Sequence, residues 1–184
     1  MSYHEIATSS KADVLRYFFT GKLNNPSDKL YQLYTSLLGI TEAHGFCDSV
    51  RSRWHATDDN SVVGWTVGTR RFDASNRVER WIIANVDVNT VYSKGIDDSV
   101  NCMLDMVKGN LSELAHVIKP FPAWGKMHRF DLDRCPDSEF HMIGVAHQDS
   151  ECNGTVELLD GSHRLTALAA FGKPTVKAYL AVLK

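Results

Sequence analysis

The sequence predicts an α+β protein with a helical N-terminal part, and three observations carry that reading. Apolar residues in the first part of the chain recur at helical spacing. Turn chemistry appears at TDDNS, Thr57 to Ser61, and strand-like runs rich in Val, Ile and Trp follow it. The chain closes on two apolar runs, a turn, an Ala-rich helix and a final β-branched run, from Glu139 to Leu183. Residues 1–75 are taken as the helical part and residues 76–184 as an α/β part built on a small mixed sheet.

The first helix follows Ser10, a capping residue, through KADVLRYFFT to Gly21, with Val14, Leu15, Phe18 and Phe19 on its apolar side. The second opens at Pro26-Ser27 and ends at Gly39, with Leu30, Leu33, Tyr34, Leu37 and Leu38 expected on one face. A third is expected over Glu42 to Trp54, where Phe46, Val50 and Trp54 recur every four residues. VVGWTVG, from Val62, reads as a strand, Asp73 to Asn76 as a turn, and Val78 to Val88 as a longer strand. Asp97, Asp98 and Ser99 start a helical stretch that reaches Ile118, with Gly109-Asn110 as its break. KPFPAWG is expected to be a loop because two prolines interrupt it. EFHMIGVAHQ and GTVELL read as two strands joined by the loop DSECNG, Ser162 to Phe171 as a helix and TVKAYLAVL as the closing strand.

Composition sets bounds on function. The chain has 184 residues, 43% hydrophobic and 23% charged, which suffices for a packed core. A net charge of −2 excludes a protein that coats nucleic acid through overall charge, while leaving room for a local basic patch. No apolar run is long enough to span a membrane, and no basic region with an apolar core opens the chain. The four cysteines are scattered without a C-x-x-C pair, as expected of reduced thiols in a cytoplasmic protein.

The chemistry concentrates at Asp160-Gly161-Ser162-His163-Arg164, between a strand and a helix. A helix start presents backbone N–H groups without intrahelical partners, and the helix dipole adds partial positive charge there. Gly161 lets the backbone approach an anion, Ser162 can cap or donate, and His163 and Arg164 add donors suited to phosphate oxygens. Asp160 is the wrong sign for a bare phosphate, and suits a Mg²⁺ ion, a substrate hydroxyl or an orienting contact to Arg164 or His163. The same residues also read as a plain capped turn, with Ser162 as cap and His163 and Arg164 in solvent.

LLDGSHRLTALAAFGKPTVKAYL resembles the C-terminal half of the ParB/sulfiredoxin-like superfamily, whose members carry a Gly-x-x-Arg turn, an Ala-rich helix, a Gly and a strand. The nearest look is to the free serine kinase branch and to other ParB-like nuclease domains, with Asp160, Gly161, His163, Arg164, Ala167 and Gly172 matching. The specific similarity covers Glu157 to Lys184, and residues 1–75 match no family we name. Sulfiredoxins place a reactive cysteine where this chain has Ser162, so sulfinic-acid reduction is not expected. The resemblance implies a sheet of ParB/sulfiredoxin-like type and a pocket where Gly161, Ser162, His163 and Arg164 hold the phosphates of ATP or another nucleotide with Mg²⁺. It also implies kinase-like transfer to a small hydroxyl-bearing or nucleic-acid-linked acceptor, with His163 and Asp160 at the reaction centre, Asp160 at the metal, and an upstream carboxylate that Asp98 would supply, Asp87 and Asp97 being the other choices. A ParB-like DNA-binding protein or nuclease, and a non-catalytic nucleotide-binding module, are the alternatives. The stretch KPFPAWGKMHRFDLDRCPDSEF departs from the family pattern.

Other constellations are weaker. Arg70, Arg71, Arg77 and Arg80, with Lys126 and Arg129 on the Pro-rich segment, would form the basic face a nucleic-acid binder needs, but Asp73 and Glu79 dilute the first group. Cys135, His141, His147 and Cys152 are spaced like no common zinc module. Thr20-Gly21-Lys22 lacks the earlier glycine and the strand of a P-loop.

Overall fold

The computed structural model describes residues 2–28, 30–41, 47–65, 72, 78–96, 98–136, 139–147 and 154–183. The chain divides into two units, Ser10–Ala74 and a sheet unit formed by Met1–Ser9 with Ser75–Lys184. The architecture is α+β.

In the Ser10–Ala74 unit, helix α1 (Lys11–Leu23) starts on a reciprocal cap: Ser10 Oγ accepts from the Asp13 N–H, and Asp13 returns a bond to the Ser10 N–H at 2.9 Å. Gly21 does not stop it; the helix runs one half-turn further to Asn24, since a glycine in a last turn costs little once Leu23 is buried. Helix α2 (Tyr31–Leu37) buries Tyr31, Tyr34, Thr35 and Leu38, while Leu33 and Leu37 stay exposed. Tyr34 and Leu38 of the expected face are buried, and Tyr31 takes the place of Leu33 and Leu37, because a tyrosine supplies more area to bury. Helix α3 (Asp48–Ala56) buries Val50 and Trp54; the expected start over 42–46 lies outside the described residues. Val62 to Gly64, expected as a strand, is instead in helix α4 (Asp59–Gly64), whose start is capped by Asp58. The Asx cap and a single buried apolar side chain, Val62, overrode the β propensity of the Val-Val pair. The expected turn at 73–76 lies outside the described residues.

Among the described residues of the sheet unit, six strands form one sheet in the order β1-β2-β6-β4-β5-β3. They are β1 (Tyr3–Ser9), β2 (Val78–Asp87), β3 (Val91–Tyr92), β4 (His141–Ala146), β5 (Val156–Asp160) and β6 (Thr175–Leu183). Neighbours are antiparallel except β4 with β6 and β3 with β5, so the sheet is mixed. Strand β1 has no counterpart in the sequence reading. It is a polar edge strand with Ile6 half exposed, so it carries almost no alternation to detect.

Helices α5 (Asp98–Met106), α6 (Leu111–Ile118) and α8 (Ser162–Ala170) cover one sheet face. The core joins Ile82, Ala84 and Val86 of β2, Met142 and Ala146 of β4, Val156 and Leu158 of β5, and Ala178, Leu180 and Val182 of β6 to Leu104, Leu114, Ile118, Leu165 and Leu168 of the helices. The break at Gly109-Asn110 is real: Gly109 has φ +79 and Asn110 caps α6 through the Glu113 N–H. The Pro-rich segment, expected as a loop, holds the short helix α7 (Pro122–Met127) with Pro122 in its first turn. Proline is admitted there because the first-turn N–H groups have no helical partner to lose.

Candidate functional site

Strand β5 delivers its last residue, Asp160, to a one-residue turn, and α8 begins immediately after it. Gly161 makes that turn at φ +105, in the left-handed region. A Cβ at this position would lie 2.7 Å from Phe140 Cζ, with Met142 Cα behind it. The glycine is thus demanded by the backbone and by a buried ring. Gly161 is also the N-cap, which corrects the assignment of that role to Ser162: Ser162 is already helical, and no side chain caps α8. Leu165 is the first residue whose N–H reaches back to Gly161 O, at 2.9 Å. The backbone N–H groups of Ser162 and Arg164 precede it and have no carbonyl within the helix to receive them.

The side chains at the turn are held by aromatic platforms. The Arg164 guanidinium lies 4.3 Å over the Phe140 ring and 3.9 Å from Asp160 Oδ2. Its side chain is half exposed, so it stays open to an external anion, and the long contact to Asp160 leaves most of its donors unspent. His163 does not point into solvent. Its ring packs 4.7 Å from that of Phe130, which is fully buried, and its Nδ1 is 3.5 Å from Ser162 Oγ. The five motif residues are therefore brought together as a sequence-local group, with Phe130 and Phe140 from the preceding segment as partners that the sequence reading lacked.

The other candidates fall elsewhere. Asp98 sits exposed at the start of α5, where its neighbour Ser99 hydrogen-bonds His128 Nδ1 at 2.8 Å. Asp87 is spent locally, accepting from the N–H and the side-chain amide of Asn89 at the turn after β2. Lys126 is paired with Asp133 at 2.5 Å, which raises its pKa, and Arg129 takes a left-handed backbone at φ 65 in the turn after α7. Arg70, Arg71, Arg77 and Asp97 lie outside the described residues, and Arg80 is paired with Glu5 at 2.8 Å. Cys152 also lies outside them, and among the described residues no three His, Cys, Asp or Glu side chains gather where they could hold a metal ion. His141 turns its Nδ1 to Glu139 O and its ring to Tyr179. Cys47, Cys102 and Cys135 are free thiols.

A second polar group lies on the sheet face opposite the helices. Glu157 Oε2 receives Lys94 Nζ at 2.8 Å, His147 Nε2 at 3.0 Å and the Tyr92 hydroxyl at 3.4 Å. Register explains the convergence. Tyr92 pairs with Glu157 across β3 and β5, Val145 pairs with Glu157 across β4 and β5, and Lys94 and His147 follow two residues later, just beyond the strand ends, where both reach the same carboxylate. Burial acts to raise the Glu157 pKa, but the bonds and charges of Lys94 and His147 outweigh it, and the carboxyl is held below the ordinary glutamate value. In the sequence His147 reads as a strand residue and a candidate zinc ligand, and Glu157 as a residue inside the strand GTVELL. The legible signal was a lone carboxylate between apolar residues in V-E-L, on a strand whose partner is followed directly by His147.

This depressed carboxyl sets an acid dependence. A group whose folded pKa is lowered stabilises the fold above its unfolded pKa and loses that contribution as pH falls through the folded value. The urea midpoint should therefore drop on acidification below pH 4.5, the ordinary glutamate value, more steeply for the wild type than for Glu157→Gln. Parallel curves for the two proteins across that range would remove Glu157 as a source of acid sensitivity.

Comparison of the chain with protein-family models, with curated proteins and with solved structures finds no match in any of the three.

Proposed function

We propose that the β5–α8 turn binds the phosphates of a nucleotide, and that the protein transfers a phosphoryl group to a small hydroxyl-bearing or nucleic-acid-linked acceptor on a sheet of ParB/sulfiredoxin-like type. The observation that carries this reading is the uncapped start of α8 with a half-exposed Arg164 beside it. Such a start binds anions through backbone N–H groups and the helix dipole. An arginine held by an aromatic face adds charge-assisted bonds with little further ordering cost. Phosphoryl transfer asks a protein mainly for positioning and charge stabilisation, which these groups supply.

The donor set at the turn suits a magnesium ion carried by the nucleotide better than one caged by protein. Asp160 is a single carboxylate at the helix start, and Mg²⁺ in nucleotide sites takes one or two carboxylates beside phosphate oxygens. When bound, the ion would neutralise phosphate charge. Asp160 would hold it or accept the acceptor's hydroxyl proton, while Ser162 and Arg164 orient the phosphates and His163, braced by Phe130, fixes the turn.

The test is calorimetric titration with ATP, ADP, CTP and GTP in the presence of Mg²⁺. One nucleotide should bind, and Arg164→Ala should weaken it by about tenfold to a hundredfold, the worth of a hydrogen bond to a charged group. Arg164→Lys should recover part of the loss, because it keeps the charge without the fork. The reading fails if no nucleotide binds or if Arg164→Ala binds as tightly as the wild type.

A further inference from the structure

We infer that His147 and Glu157 form a carboxylate–imidazole pair that activates water for attack on a small acyl ester, on the sheet face opposite α8. The pair lies at the other end of β5 from the Gly161 turn and stands independently of nucleotide binding. Three donors converge on one oxygen, Glu157 Oε2. An ionised carboxylate only accepts, so the 3.0 Å contact places the His147 proton on Nε2. In that tautomer the lone pair is at Nδ1, which makes no hydrogen bond among the described residues. Lys94, at 2.8 Å from the same oxygen, keeps Glu157 ionised, and the Tyr92 hydroxyl adds a third bond. The His147 and Glu157 side chains are 19% and 15% exposed, sheltered enough to be held in one geometry yet open to a small molecule.

The chemistry follows from that geometry. His147 Nδ1 takes a proton from water as the water oxygen bonds to the ester carbonyl carbon. The negative charge of Glu157 stabilises the imidazolium that forms, and keeps the ring in the tautomer that exposes Nδ1. As the tetrahedral intermediate collapses, the C–O bond to the alcohol breaks and the same proton passes to the leaving oxygen. One water and one ester become one acid and one alcohol, with no other reactant. His147 is the proton acceptor, and Glu157 is a positioning residue.

The probe is p-nitrophenyl acetate, with nitrophenolate release followed at neutral pH. The wild type should turn over, more slowly in D₂O than in H₂O because a proton is in flight. His147→Gln should be slower by at least about a hundredfold, the lower end of what general-base catalysis contributes. His116→Gln, an exposed histidine on α6, should match the wild type. Glu157→Gln can still accept from Nε2 but lacks the charge; it should lose at least about threefold of the rate, and its neutral His147 should shift toward the Nδ1-protonated tautomer in nitrogen NMR. In the wild type the same spectrum should place the proton on Nε2. Should His147→Gln fail to fold, the wild-type tautomer and the Glu157→Gln rate decide. The inference is overturned by His147→Gln hydrolysing ester at the wild-type rate, by a Glu157→Gln rate equal to the wild type, by no solvent isotope effect, or by a neutral ring that carries its proton on Nδ1.

Discussion

Gly161→Ala is expected to cost about 3 kcal/mol of stability. Two independent terms add. The backbone at φ +105 is strained for any residue with a Cβ, by roughly 1–3 kcal/mol. The new methyl would also stand 2.7 Å from Phe140 Cζ and 3.1 Å from Cε2. That ring is only 5% exposed and sits in the core, so it cannot swing aside, and overpacking of this kind costs about 1–3 kcal/mol. The urea midpoint should fall with the slope unchanged, as for a loss of stability without a change in the unfolded state. A difference under about 0.5 kcal/mol would show that the turn is not tied to this geometry. The functional consequence is coupled, because Phe140 also carries the Arg164 guanidinium at 4.3 Å. Displacing the ring moves the cation that the phosphate reading depends on, so nucleotide affinity should fall even in the population that remains folded. Phe140→Leu separates the two effects: it relieves nothing at Gly161 in the wild type but removes the platform under Arg164.

That coupling bears on what can be read from a glycine. In the sequence Gly161 suggests a close approach of backbone to ligand, and the structure gives it a different partner, a buried phenylalanine about twenty residues earlier. The turn itself, the helix after it and the closing strand were legible because they obey local rules: Asp-Gly turns, helical spacing, and alternation in TVKAYLAVL. The platforms Phe130 and Phe140 were not, because stacking across elements leaves no spacing in the chain. Helix α7 was hidden by a rule applied without its exception, since proline breaks a helix only beyond the first turn. Strand β1 was hidden for the opposite reason, being polar and at an edge, where pairing with β2 and not side-chain pattern makes it a strand. The Glu157 group shows the limit most clearly. Tyr92, Lys94, His147 and Glu157 span a long stretch of sequence, and only the strand order β4-β5-β3 and its register make them neighbours. A sequence can announce each strand and still not disclose which strands lie side by side.

The second large effect lies in the Ser10–Ala74 unit. Phe19→Ala is expected to cost about 3–5 kcal/mol, the range for emptying a buried aromatic site. Phe19 is completely buried and stands at the centre of an aromatic group, with edge contacts to Tyr34 at 4.8 Å, Trp65 at 5.0 Å, Phe18 at 5.5 Å and Trp54 at 6.1 Å between ring centres. These rings come from α1, α2, α3 and the residue after α4, so one side chain ties together the described helices of the unit. The neighbours cannot collapse into the gap, because Trp54 is anchored by its Nε1–H to Thr20 Oγ1 at 2.9 Å and Arg16 clasps Asp59 and Thr57 O across the same helices. A small unit has little apolar area in reserve, and a loss of this size is comparable with the whole stability of a marginal domain. Trp54 and Trp65 report directly on the site, so their fluorescence against urea should show the transition moving to lower denaturant. Phe19→Leu should recover more than half of the loss by refilling most of the volume. Leu37→Ala, at 46% exposure on α2, should shift the midpoint by under about 0.5 kcal/mol. Equal effects at positions 19 and 37 would mean that the aromatic group does not hold the unit, and that the exposed leucines of α2 carry as much of the packing as Tyr31 and Tyr34 do.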